Sequence, residues 1–387
     1  ARSTAPAPLR SSLAMATPST GRTAALNGAP ASAAARRQVA TEAVETLVLG
    51  VVRMLVKATR ADLSSSVRTP AAVILSDPCH ALVAEDGDFL ASTQREQRLE
   101  FRPRSYRRLV RFFAALDLVH HLNTSSRSAT QRELFYRAAA TGDGQLFRSQ
   151  NVMDKAIRDV VGALRIGRPR LGVLTSEKGL VAGALAFRDP DKPSSWSAVR
   201  GASAMAITEA MLCFADDSIE VGAARCVLVV EKDTFFQNLL QGRLLTSLPL
   251  VLVTGRGYPD LLTRRLLQRL QRTAPQLPQV YLGDYDPHGV SIFLVYLASC
   301  PWMRWLGMHE AHVRNLPEQA ALPFTPRDTA LKASLLRRPE VVGNERYAAQ
   351  VAAMDRKFEL EALHATHGAE EIALHFVPEK ILRRAWI

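Results

Sequence analysis

Three short runs restrict the fold more than anything else in this sequence: "CVLVV" (226–230), "LPLVLVTG" (248–255) and "QVYLGDYD" (279–286). Their apolar cores do not alternate with polar residues, so each strand is buried on both faces. That is the pattern of a parallel sheet covered by helices on both sides. Helical stretches separate the runs, and strand–helix–strand alternation implies an α/β domain.

In an open parallel sheet, ligands collect outside the carboxyl ends of the strands. Glu231 closes the first run, and Asp284 and Asp286 close the third. The Asp-x-Asp spacing sends both aspartates to one side of an extended segment. Three carboxylates gathered there repel each other unless a cation neutralises them. A set of oxygen ligands with no histidine or thiol suits Mg²⁺, with Mn²⁺ a possible substitute. The opposing reading makes these acids helix N-caps or turn formers, "DPHG" above all. Between them, "GRGYPD" (255–260) has two glycines that would let a phosphate approach the backbone, or that simply make a tight turn. His309 and His312 in "MHEAH" lack the H-E-x-x-H spacing and read as structural or surface residues.

The front of the chain has a different character. At 387 residues, two or three domains are expected. The first 38 residues hold five arginines and no acid, and fit either a disordered tail or an organelle transit segment. The net charge of +12 favours an anionic partner, nucleic acid first and a membrane surface second. No apolar run is long enough for a spanning helix. Cys79, Cys213, Cys226 and Cys300 are widely spaced, which argues against a zinc site or a disulfide framework and for a reducing compartment.

Val44, Leu47, Val48, Val51, Leu55 and Val56 fall at helical spacing, so residues 39–60 read as an amphipathic helix that packs on its own domain or on a partner. Residues 61–103 show no strong period and read as a linker or extension. A helix with Leu109, Phe112, Phe113, Leu116 and Val119 on one face follows, fronted by Arg102, Arg104, Arg107, Arg108 and Arg111. After a polar turn, Thr130-x-x-Glu133 matches a capping box, so a new helix begins at Gln131. A third helix presents Met153, Ile157, Val160, Val161 and Leu164. "RLGVLT" and "LVAGALAF" then read as a hairpin. Helices followed by a hairpin suggest a winged-helix domain over 104–205, with a boundary near 205–222 and the α/β domain over 206–387.

Arg132 and Tyr136, in "TQRELFYR", are four residues apart and share a helix face. A free tyrosine has a pKa near 10, so about one in a thousand is ionised at pH 7, and a nucleophilic role needs a nearby cation, base or metal. On spacing alone, such a tyrosine is more often a core residue.

A resemblance tips that balance. "TQRELFYR" followed by "QLFRSQNVMDKAI" is similar to the active-site tyrosine segment of the type IIB topoisomerases, in the A subunit of topoisomerase VI and in its eukaryotic relative, the meiotic double-strand-break protein of the sporulation-eleven family. "VLVVEKDTFFQNLL", "VTGRGYPDLLTRRLLQRL" and "YLGDYDPHGVSIF" resemble that family's Toprim domain, in order, and "WLGMHEAHV" and "VPEKILRRAWI" extend the likeness, which covers roughly 100–387. The resemblance implies a CAP-like winged helix followed by a Toprim domain. It implies Tyr136 as nucleophile, since the family's reactive tyrosine is the second aromatic of the pair, Arg132 as an active-site arginine, and Glu231, Asp284 and Asp286 as Mg²⁺ ligands. Arg107, Arg108, Arg111, Arg127 and Arg256 are the candidate contacts to double-stranded DNA. Three departures stand out: Arg256 where relatives often carry lysine, an insertion "DPDKPSSWSAVRG" (189–201), and the unmatched tail.

The expected activity is tyrosyl transesterification that breaks DNA in meiosis, leaving Tyr136 on the 5′ phosphate. Such a protein works in the nucleus as a homodimer beside an ATPase partner like the B subunit of topoisomerase VI. In that ATP-dependent complex the N-terminal helix is the contact. The alternatives are a topoisomerase VI A subunit that relaxes or decatenates DNA, and a non-catalytic DNA-binding scaffold of the same fold.

Overall fold

The computed structural model describes residues 33–60, 71–76, 96–174, 177–188, 196–199, 203–212 and 219–387. It divides into two compact units, Ala1–Thr175 and Ser176–Ile387, each taken by itself below. Most of the expected tail (1–32), and Cys79 and Cys213, lie outside the described residues.

The first unit opens with α1 (Ala33–Arg60), which starts six residues earlier than the hydrophobic stripe suggested. "AAARR" is made of strong helix formers and extends the helix without apolar periodicity. Ala40, Val44, Val51 and Met54 are buried against the unit's core, so the expected stripe is only partly outward. Val48, Leu49, Val52 and Val56 remain exposed and form a second apolar face. Part of the expected linker is ordered: β1 (Ala72–Ser76) and β2 (Glu96–Glu100) pair antiparallel, Ala72 opposite Glu100. The sequence hid β1 because it is buried on both faces and so does not alternate.

Next come α2 (Tyr106–Thr124), the short β3 (Ala129–Thr130), α3 (Gln131–Ala140), α4 (Gln150–Leu164) and β4 (Val173–Leu174). The three expected helices are present, with Phe112, Leu116 and Val119 of α2 and Met153, Ile157 and Val160 of α4 in one core. α3 begins at Gln131 as anticipated, and the Thr130 hydroxyl accepts from the Glu133 N–H at 3.1 Å. The reciprocal half of the capping box is missing, because the Glu133 carboxylate pairs with Arg137 at 2.6 Å instead. Arg108 grips Asp159 through two hydrogen bonds of 2.8 Å, tying α2 to α4.

Among the described residues, the expected wing hairpin is not present. β4 pairs in parallel with β3, while β5 (Leu180–Gly183) joins the second unit's sheet. The "LVAG" segment is mostly buried, which suits the interior of a sheet and not a solvated wing. The second unit continues with β6 (Leu185–Arg188), β7 (Trp196–Val199), β8 (Met205–Ala206), α5 (Glu209–Leu212) and β9 (Ile219–Val221). Strands β7, β6 and β9 make a small antiparallel sheet, so Trp196–Val199 within the inserted sequence is a strand.

The main sheet then forms from β10 (Val227–Val230), α6 (Asp233–Gln241), α7 (Leu244–Ser247), β11 (Val251–Thr254), α8 (Leu261–Thr273), β12 (Gln279–Leu282), α9 (Pro287–Ser299) and β13 (Arg304–Gly307). Its order is β13-β12-β10-β11-β5-β8; β10 to β13 are parallel, β5 runs antiparallel to β11, and β8 antiparallel to β5. Every residue of β10, β11 and β12 is buried, as the unbroken apolar runs required. From β10 the chain goes to β11 on one side and then to β12 on the other. The carboxyl ends of these strands therefore flank a topological switch point.

We expect Asp159→Ala to lower the stability of the chain by about 3 kcal/mol, since it leaves a partly buried guanidinium without its carboxylate. Chemical denaturation of wild type and variant checks this.

Candidate active site

Glu231 follows β10 directly, where the strand end carries its carboxylate into the interior. The Tyr281 hydroxyl donates to Glu231 Oε2 at 2.8 Å, and the Asp284 N–H donates to the same oxygen at 3.0 Å. Gly283 leaves room for this. A Cβ there would lie 2.5 Å from Glu231 Oε2 and 2.4 Å from the Tyr281 hydroxyl. The Glu231 carbonyl accepts from Gly257 N–H at 2.8 Å, which fixes the "GRGYPD" turn beside the strand end. Arg256 and Gly257 both have positive φ in that turn.

Asp284 is buried, with Oδ1 accepting from the Leu360 N–H at 2.7 Å and Oδ2 3.1 Å from Lys232 Nζ. Asp286 is the N-cap of α9, accepting from Gly289 N–H at 2.6 Å. The capping reading of Asp286 is thus realised in the structure.

Burial, reinforced by the Asp284 charge, pushes the Glu231 carboxyl up to about 8. Burial also raises Asp284, to about 6, against the pull of Lys232. Asp286 is raised as well, again by burial first. All three acids thus resist ionisation, and a divalent cation would relieve that. Among the described residues, however, no three acids, histidines or cysteines are drawn together closely enough to hold a metal ion. The donor chemistry fits Mg²⁺, while the three carboxylates are each held by protein donors.

Tyr136 sits in the first unit, on α3. Its neighbour Phe135 packs on the core, whereas Tyr136 is 56% exposed. Arg132 lies alongside, with Nη2 and Nε 3.3 and 3.4 Å from the phenol oxygen. The core-residue reading of Tyr136 is therefore excluded within this unit.

The candidate DNA-contact arginines differ in their engagement. Arg108 is bound to Asp159, and Arg111 Nε donates to the Leu146 carbonyl at 2.8 Å, so both serve the interior of their unit. Arg107 and Arg127 are exposed. Arg256 is exposed too and pairs with Asp233 at 3.1 Å. The imidazoles of His309 and His312 stack, and the His309 N–H donates to His312 Nδ1 at 2.9 Å. Burial lowers them to about 4 and about 3, so both are neutral structural residues. Burial raises the Cys226 and Cys300 thiols to about 12. No helix among the described residues is long and apolar enough to cross a membrane.

Sequence reasoning missed Lys232, Tyr281, Glu359 and Glu361. Lys232 stands in plain view after Glu231, but Glu361 arrives 129 residues later with nothing local to announce it.

Residues 226–381 match the Toprim-domain family of the topoisomerase 6 A subunit/Spo11, and residues 107–173 match "Type IIB DNA topoisomerase". The chain is 31% identical to the human "Meiotic recombination protein SPO11", over 74% of each chain. The chain belongs to the Spo11/type IIB topoisomerase family. It is also 30% identical to "Meiotic recombination protein SPO11-2" of Arabidopsis thaliana, over 72% of this chain and 75% of the relative. The A3 subunit of DNA topoisomerase 6 from Oryza sativa subsp. indica is 31% identical over 70% of this chain and 63% of its own. The parallel sheet is accordingly a Toprim domain, a type that generally binds metal, and the chain is related to topoisomerases.

In the absence of divalent cations, stability should fall as pH rises from about 4.5 to about 8, because folded Glu231 retains a proton that the unfolded chain has released. Below that window the contribution is constant. Glu231→Gln should remove most of the slope between about pH 6 and pH 8, while the raised Asp284 keeps a slope below that, read as melting temperature against pH in a chelating buffer.

Proposed function

We propose that this protein breaks both strands of DNA in meiosis by tyrosyl transesterification. The observation that carries the reading is the exposed Tyr136 with the Arg132 guanidinium at its phenol oxygen. The family relationship to meiotic recombination proteins supplies the setting.

The Tyr136 oxygen attacks a backbone phosphorus and gives up its proton. A P–O bond to tyrosine forms, the bond to the 3′ oxygen breaks, and that oxygen leaves as a hydroxyl once protonated. One ester replaces another, so the step consumes no ATP. Arg132 holds the phosphate and offsets the charge that grows on it. Glu231, Asp284 and Asp286 would hold Mg²⁺, which when bound neutralises phosphate charge near the scissile bond. Helices α2 to α4 serve as the DNA-facing part of a winged-helix-type domain, with Arg107 and Arg127 as backbone contacts, and Arg256 contributes from the Toprim domain. Each chain offers one such tyrosine and a double-strand break needs two, so the working species is a homodimer in the nucleus.

The outward face of α1 is the proposed contact for an ATPase partner like the B subunit of topoisomerase VI. Val51 is buried in its own unit, which moves the contact to Leu49 and Val52. Leu49→Glu with Val52→Glu should abolish co-purification of that partner while leaving the melting temperature within a few degrees of wild type. Retained binding would reject the assignment.

The central test isolates the protein under denaturing conditions from cells entering meiosis and end-labels attached DNA. Wild type should carry labelled DNA and Tyr136→Phe none, while Arg132→Ala should reduce adducts by about a hundredfold. Adducts of equal yield with Tyr136→Phe would place the nucleophile elsewhere. Adducts in vegetative cells that reseal on dilution would favour the topoisomerase VI reading instead.

A further inference from the structure

Lys232 occupies a position that the family assignment leaves without a role. It is the N-cap residue of α6, and its ammonium touches three carboxylates: Glu361 at 2.9 Å, Asp284 at 3.1 Å and Glu359 at 3.3 Å. Only one of these is a proposed metal ligand. The other two come from a segment that the fold fastens to the site. Tyr285 and Phe358 exchange backbone hydrogen bonds, and the Leu360 N–H donates to Asp284. Glu361 is held from its other side by the Thr234 hydroxyl at 2.8 Å. An ammonium thus lies on a metal-site carboxylate, with two further acids within reach that can receive it.

We propose that Lys232 is a built-in counter-ion that competes with the divalent cation for Asp284, and that Glu359 and Glu361 are the berth holding it when the cation binds. The inference rests on the metal reading above. Two cations cannot share one buried carboxylate oxygen without repulsion, so arrival of the metal drives the ammonium away. Lys232 is partly exposed and sits on a flexible stem, and a rotation of that stem keeps it on Glu361 while it releases Asp284. Until then it occupies the carboxylate oxygen that the metal would take. The device lowers metal affinity in exchange for a site that keeps its shape when empty.

The test is a Mn²⁺ titration of the full chain, reading free Mn²⁺ by electron paramagnetic resonance. Lys232→Met should bind Mn²⁺ about tenfold more tightly than wild type. Glu361→Gln should bind severalfold more weakly, because Lys232 is left with fewer places to go. In the Lys232→Met background, Glu361→Gln should lose most of its effect, since Glu361 acts through Lys232. Unchanged or weaker binding by a folded Lys232→Met overturns the proposal, as does an undiminished Glu361→Gln effect in the double variant. If Lys232→Met fails to melt cooperatively, Glu361→Gln alone decides: equal or tighter binding than wild type overturns it. Asp284→Asn separates the two levels of inference. If it binds Mn²⁺ as well as wild type, the metal reading itself fails, whatever Lys232 does.

Discussion

The Toprim domain is organised around a charge that its interior resists. Glu231 ends the central strand of the parallel sheet, in a place too dry for a carboxylate to ionise at its ordinary pH. The surroundings hold that carboxylate without neutralising it. The Tyr281 hydroxyl and the Asp284 N–H fix one oxygen, and Gly283 keeps the space between them clear. The Gly257 N–H on the Glu231 carbonyl ties in the neighbouring strand's turn. Together these contacts join the ends of β10, β11 and β12 to one residue. Buried, hydrogen-bonded acids with a raised proton affinity cluster at functional sites.

The first unit solves the opposite problem. Its reactive candidate must face outward, and outward tyrosines lack the packing that would fix their direction. Here direction comes from neighbours along the helix. Thr130 caps α3 at its start, Phe135 anchors one side in the core, and Arg132 lies along the phenol. The Arg108–Asp159 clamp fixes α2 to α4, and α3 packs on α4. Arginines that look alike in sequence therefore divide into those that build the unit and those left exposed at its surface.

Much of this was legible in the sequence, for identifiable reasons. Unbroken apolar runs have one good solution, a sheet covered on both faces, and the acids at their ends fall at its carboxyl edge by construction. The start of α3 was readable because capping is a local rule. The wing hairpin misled because "RLGVLT" and "LVAGALAF" are adjacent in sequence yet join different sheets, and strand pairing is not a local property. β1 was hidden by burial on both faces, which removes the alternation that reveals a strand. Lys232 carries no local signal because its meaning depends on Glu359 and Glu361, which only the tertiary structure brings near. Arg108 read as a DNA contact because Asp159 lies 51 positions away.

The anchoring of α3 ties the direction of Tyr136 to the length of the helix before it. Successive residues of a helix are turned by about 100° from one another. One residue gained or lost between Thr130 and Phe135 would turn Phe135 by that angle relative to the cap, so cap and core contact could not both be kept, and the phenol beside Phe135 would turn with it. The direction of the phenol is therefore set by the number of residues between the cap and the core contact.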